Sequence, residues 1–198
     1  MLKENAHAPE VRGMDTLVSV AMIAIVLIAI WAVAANNSFV RARNKVDEAW
    51  SGIDVQLKRR HDLVPNLVET VKGYAQHERE TLTAVTQARA EAVAVSDPAG
   101  VARAEAKLTS ALGGINAVAE QYPQLRASDE FRDLESQLAQ IENEIQAARR
   151  IYNANVQAYN TRIEIFPNSL IAGRNFEPRT FFELDSPADR AVPAVAFS

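Results

Sequence analysis

The sequence predicts an all-α protein: an N-terminal transmembrane helix followed by an antiparallel up-and-down four-helix bundle. Three observations carry this. Residues 17–35, LVSVAMIAIVLIAIWAVAA, are almost wholly apolar, and no charged residue stands between Thr16 and Val40. Between Ser38 and Phe166 the only prolines are Pro65, Pro98 and Pro123, each at a plausible helix boundary. The apolar residues beyond residue 98 recur every three or four positions, the period of one helix face. The expected division is a short tail over 1–15, a transmembrane helix over 16–40, a bundle over 41–185 with its C-terminal segment folded back, and a disordered tail over 186–198.

The apolar run reaches about 28 Å at 1.5 Å per residue, close to the ~30 Å hydrocarbon core of a bilayer. Trp31 lies inside it, and Asn36, Asn37 and Ser38 mark the water interface. A cleaved signal peptide is the competing reading, since Ala32, Val33 and Ala34 offer an A-x-A site. The run exceeds the roughly 7–15 apolar residues of such peptides, and the leading segment is not basic, so a retained span is expected. Lys3 and Arg12 precede the span, whereas Arg41, Arg43 and Lys45 follow it closely. The positive-inside bias then places the C-terminal domain in the cytoplasm and the N-terminus outside.

After the span, Val46, Trp50, Ile53, Leu57, Val64, Leu67 and Val71 keep nearly one helical phase through Pro65. Phase favours one kinked helix. A helix over 38–95 would run about 87 Å, however, and much of its apolar face would lack a partner. A turn at 61–65 gives four helices of roughly 25, 33, 24 and 38 residues that pack up-down-up-down. Asp62 would cap the second of these, and Lys58, Arg59 and Arg60 would lie at the end far from the membrane. Ser96, Asp97 and Pro98 offer an N-cap followed by proline in the first turn. Tyr122 and Pro123 stop that helix, and Ser128, Asp129 and Glu130 start the next with acid at its positive dipole end.

The last two helices each carry a seam of coiled-coil type. One runs through Val101, Ala104, Leu108, Ala111, Ile115, Val118 and Tyr122. The other runs through Phe131, Leu134, Leu138, Ile141, Ile145, Ala148, Tyr152, Asn155 and Tyr159. Beyond Pro167, the residues Leu170, Ile171, Phe176, Phe181 and Phe182 are too apolar for a free tail.

Composition removes several function classes. Gly is 7 of 198 residues, about half the usual share of roughly 7%, which argues against an all-β or nucleotide-binding Rossmann fold. No G-x-G-x-x-G or P-loop is present. With no cysteine, disulfides, thiolate metal sites and cysteine nucleophiles are excluded. A net charge of −4 does not suggest a nucleic-acid partner.

No catalytic, cofactor-binding or metal-binding residue is assigned, and no small-molecule substrate. His61 and His77 are the obvious ligand or base candidates, with His7 in the tail, but they lack ligand spacing and are expected as solvated or capping residues. The acids Glu120, Asp129, Glu130, Asp133, Glu135, Glu142 and Glu144 form no E-x-x-H motif and read as a solvated face, with Arg132 and Glu135 close enough to pair. Lys58, Arg59 and Arg60 read as a solvated helix end. Trp50 falls on the apolar phase and is expected in the core. Tyr152-Asn153 recurs as Tyr159-Asn160 seven residues later. It suits either core packing with hydroxyls at the rim or a face that docks another helix.

Three strings resemble the LemA family: WSGIDVQLKRRHDLVPNLVETVKGYAQHE (50–78), AVAEQYPQLRAS (117–128) and IYNANVQAYNTRIEIFPNSLIA (151–172) with Phe181 and Phe182. The resemblance implies a bacterial single-pass membrane protein with a helical bundle, no known enzymatic activity and a largely undefined role. One branch of that family is tied to magnetosome membrane formation. The expected function is a membrane-anchored scaffold or adaptor at the inner (cytoplasmic) membrane, with protein partners or a homo-oligomer; the alternative is a protein that shapes membranes by acting on lipid.

Overall fold

The computed structural model describes residues 8–183, and all its regular structure is helical. The helices are α1 (Ala8–Tyr74), α2 (Arg79–Val93), α3 (Pro98–Gln121), α4 (Pro123–Ala127), α5 (Asp129–Glu164) and α6 (Ser169–Ala172), followed by a 3₁₀ turn at Gly173–Asn175. Residues 1–7 of the expected tail, with His7, and the expected tail at 186–198 lie outside the described residues. Residues 8–15, expected in the tail, already belong to α1.

The expected turn at 61–65 does not form. α1 is one helix of 67 residues, about 100 Å long, and it passes through Pro65. A proline inside a helix removes the N–H that would bond the carbonyl four residues back. Here that carbonyl belongs to His61, and the Arg89 Nε–H from α2 donates to it at 2.7 Å. The lost bond is thus replaced from a neighbouring helix, and the chain turns at 75–78 instead. Asp62 caps nothing; it pairs with Lys58 one turn earlier at 3.2 Å.

The apolar part of α1 is long and apolar enough to cross a membrane. Its side chains from Leu17 to Val33 are largely exposed, and among the described residues neither of the two cores packs on them before Trp31. Beyond it α5 runs antiparallel along α1. Arg162 Nη1 donates to Ser38 Oγ at 2.8 Å, Asn155 to the Lys45 carbonyl at 3.3 Å, and Arg59 Nη1 to Glu144 at 2.9 Å. The α2–α3 hairpin covers the far half of this pair. The C-terminal segment closes the near half.

Two apolar cores result. The near core joins Phe39, Val46, Ile53 and Leu57 of α1 to Ile145, Tyr152, Val156 and Tyr159 of α5, and to Phe176 and Phe182. The far core joins Val64, Leu67 and Val71 to Val85, Leu108, Ile115, Leu125 and Phe131. Each such fully buried side chain contributes about 1.5–3 kcal/mol. The expected seams of α3 and α5 are therefore the buried faces. Trp50 is half-buried against Tyr152 and Phe182, at ring distances of 5.4 and 5.7 Å.

The helix ends follow their local chemistry. Asp97 caps α3 by accepting the Gly100 N–H at 2.8 Å, with Pro98 in the first turn. A Cβ at Gly100 would collide with the Asp97 carboxylate, so glycine is required for that close approach. Ser128 caps α5 through the Phe131 N–H. At the far end the Tyr122 hydroxyl donates to Glu78 at 3.0 Å, and this hydrogen bond raises its pKa.

Candidate functional site

The junction between the two cores is charged. On α1, the apolar positions Leu57 and Val64 are spaced by two turns, and the intervening turn presents Arg60 and His61 to the interior. Both are buried, with 6% and 9% of their surfaces exposed, and Glu105 of α3 is 2% exposed. His61 Nε2 lies 2.6 Å from Glu105 Oε1. Arg60 Nη1 lies 3.2 Å from Glu105 Oε2 and 3.5 Å from Glu142 Oε2 of α5. Arg60 Nη2 donates to Thr109 Oγ1 at 2.7 Å. One cluster thereby ties α1, α3 and α5 at a single level, while Arg89 ties α2 to the same turn.

The expectation of a solvated basic triplet is corrected by this geometry. Lys58 and Arg59 are exposed, but Arg60 points inward, because the continuous helix keeps the phase of Leu57 and Val64. The triplet also lies part-way along the rod, about 20 Å short of the α1 end, not at the tip. His61 is buried, contrary to expectation, whereas His77 is exposed. The acidic residues are not a uniform solvated face either: Glu142 and Glu144 reach across to Arg60 and Arg59. Arg132 pairs with Asp129, not with Glu135.

Among the described residues, no buried side-chain nitrogen or oxygen lacks a partner. Removing charges from water costs several kcal/mol per ion, so a buried pair adds little net stability compared with apolar packing. Its structural contribution is register. A one-turn slip of α1 would leave Arg60 buried without Glu105.

Two clefts flank the cluster. The larger, about 820 Å³, separates α3 from α5, with Leu67, Leu112, Leu138 and Ala139 contributing apolar lining and Arg60, Thr109 and Glu142 polar lining. A smaller cleft of about 320 Å³ lies on the α2 side, where His61 and Arg89 meet Val95 and Val101. The Arg60–Glu105–His61 cluster forms the wall between them. Among the described residues no group of three or more His, Asp or Glu side chains could hold a metal ion.

Of the two sequence readings of the Tyr-Asn repeat, the structure matches core packing: Tyr152 and Tyr159 are buried in the near core, and the repeat adds a role that neither reading gave. It grips the C-terminal segment. Tyr152 and Tyr159 hydroxyls donate to the carbonyls of Thr180 (2.9 Å) and Glu177 (3.0 Å). Asn153 bonds both main-chain groups of Phe182, at 2.9 and 3.1 Å, and Asn160 both of Arg179, at 2.8 and 2.9 Å. Seven helical residues advance about 10.5 Å and three extended residues about 10 Å, so the two repeats match. Burial raises the pKa of both tyrosines, against the partial opposition of nearby Arg179.

Sequence reasoning missed Glu105, Thr109 and Arg89, and it read Glu142 as solvated where it faces Arg60. Glu105 had a visible signal: it stands one turn after Val101 on the buried face of α3.

The LemA family model matches residues 49–197, which include the charged cluster and the Tyr-Asn repeat. The protein LemA of Metamycoplasma hominis is 29% identical over 141 residues, covering 71% of this chain and 64% of that protein. The chain thus spans less than two thirds of that relative's length. The magnetosome protein MamQ 2 of Paramagnetospirillum magneticum is 25% identical over 183 residues, covering 79% of this chain and 67% of its own length. The magnetosome protein MamQ of Magnetospirillum gryphiswaldense is 25% identical over 162 residues, covering 69% and 60%.

Proposed function

The chain belongs to the LemA family, and from that premise we propose that it is a non-catalytic scaffold anchored in a bacterial inner membrane by the apolar part of α1. The N-terminus lies outside and the helical domain in the cytoplasm, as the cluster of Arg41, Arg43 and Lys45 favours. The observation that carries the scaffold reading is the groove between α3 and α5. It has apolar lining and a charged rim, and it sits on the same unbroken helix that enters the membrane. An amphipathic helix of a protein partner fits such a groove, with its apolar face toward Leu112, Leu138 and Ala139.

A photo-crosslinking residue at Ser136 or Ala139, both lining the groove, should yield a discrete protein adduct in intact cells. The same residue at Ala94, in the α2–α3 turn, should not. Self-adducts would make the partner a second copy. Equal adducts at all three positions would defeat the reading.

The second reading, direct action on lipid, is favoured by the magnetosome relatives and by the exposed apolar side chains of Phe166 and Leu170 beside the anchor. Deformation of liposomes by the protein in the absence of any partner would support it over the scaffold.

A further inference from the structure

Where α5 ends, three large apolar side chains point into open space. Ile165 is 50% exposed, Phe166 79% and Leu170 73%. They flank the Phe166–Pro167 peptide bond and the start of α6, in a stretch whose other members, Asn168 and Ser169, are small and polar. Soluble surfaces carry single exposed apolar residues routinely, but three together at one tip mark a contact.

The register of α1 against α5 gives the level of this tip. Arg162 bonds Ser38, so the residues after it lie beside the turns of α1 that precede Ser38. Those turns are the last of the apolar run. Ala35 and Phe39 share one core with Ala172 and Phe176, and Trp31 packs against that core. α6 itself packs on α1. The tip therefore stands at the edge of the stretch that is long and apolar enough to span a bilayer. Around it lie features of a membrane interface: a tryptophan in the span, and Arg41 and Arg162 in the neighbouring polar turns.

We propose that the 165–170 tip is a second membrane contact, inserted into the domain-side leaflet of the bilayer that α1 crosses. The proposal rests on α1 being a membrane anchor. Its occupant is lipid because the exposed tip stands at the level where the exposed apolar run of α1, with Ile30 and Val33, ends. A protein partner there would have to sit within the headgroup layer. The tip enters the boundary between headgroups and acyl chains, about 5–10 Å deep. Two contacts fix the rod where one would let it swivel. They also place apolar volume in one leaflet, off the axis of the span.

The chain has no cysteine, so single nitroxide labels can be placed on the full-length protein in phosphatidylcholine–phosphatidylglycerol vesicles. Phe166→Cys and Leu170→Cys should collide more with oxygen than with a soluble nickel chelate, as Ile28→Cys in the apolar run does. Ser136→Cys, in the far half, should show the reverse. Labels at 166 and 170 that match 136, while 28 remains in lipid, would overturn the tip and leave the anchor standing. A label at 28 that also reads as aqueous would overturn both. Retained helical content in each variant would show that these exposed positions report depth, not unfolding.

Discussion

Arg89 donates its Nε–H to the carbonyl oxygen of His61 at 2.7 Å, the acceptor that Pro65 strips of its helical partner. The side chain of one helix thus repairs the main chain of another, and α1 continues for nine residues beyond its proline to Tyr74. This bond offsets the cost of the proline inside a helix whose apolar phase is continuous on both sides of it.

Arg89→Ala should therefore cost about 1–3 kcal/mol, the usual range for a part-buried acceptor left without a donor. In a Pro65→Ala background the helix supplies its own N–H at position 65, and the same substitution should cost at least ~1 kcal/mol less. Urea unfolding of the four species, followed by helical ellipticity in detergent micelles, measures the coupling. Additive effects would show that Arg89 does not compensate the proline.

The continuous phase from Val46 to Val71 already marked α1 as one helix. The length argument against it failed because it carried the helix on to residue 95; the chain turns at 75–78, and the stretch from 38 to 74 is about as long as α5 with its 36 residues. In the structure α5 covers both halves of the rod beyond the apolar run, and the extended 177–182 segment closes the near half, which the α2–α3 hairpin reaches only through Val95, Val101 and Ala102. The gap between Leu57 and Val64 was likewise legible: the phase puts Arg60 and His61 inside. What no local pattern shows is the partner. Glu105 lies 44 residues from His61, and a charge on a seam does not say which helix answers it. The Tyr-Asn repeat stood out, but its bonds run to main-chain groups, which leave no mark in side-chain identity.

Glu105→Ala should be among the most damaging single substitutions, at about 3–5 kcal/mol, because it leaves the Arg60 guanidinium buried with Thr109 and the half-exposed Glu142. Glu105→Gln, which keeps the shape and two polar atoms, should cost less. Replacing Arg60, His61 and Glu105 together by apolar residues of similar volume should be near neutral or stabilising. Urea midpoints of the three variants test this. A triple variant as unstable as Glu105→Ala would mean that the cluster holds the fold by more than pairing.

The orientation is testable in the same cysteine-free background. A cysteine at Ser51, exposed on α1 beyond the basic cluster, should resist a membrane-impermeant maleimide in intact cells. A cysteine at Ala6 should react. After permeabilisation both should react. The reverse pattern would put the helical domain outside and overrule the positive-inside bias of Arg41, Arg43 and Lys45.

Alkaline pH should release the C-terminal segment before the rod unfolds. Burial raises the pKa of the Tyr152 and Tyr159 hydroxyls, and each donates its proton to a carbonyl of the 177–180 stretch. A raised pKa in the folded state means that the folded form holds its protons more tightly than the unfolded one. The contribution is then fully present below the unfolded value of about 10 and falls as pH rises through the raised folded value. Loss of either proton also turns a donor into an anion facing a carbonyl oxygen. Trp50 reports the event locally, since it packs on both Tyr152 and Phe182. Its fluorescence should change above pH ~10, together with new chymotrypsin cleavage at Phe181 and Phe182, while helical ellipticity persists. In the Tyr152→Phe, Tyr159→Phe double variant the alkaline transition should vanish, with Asn153 and Asn160 still holding the segment. A transition that survives in the double variant would assign the release to other groups.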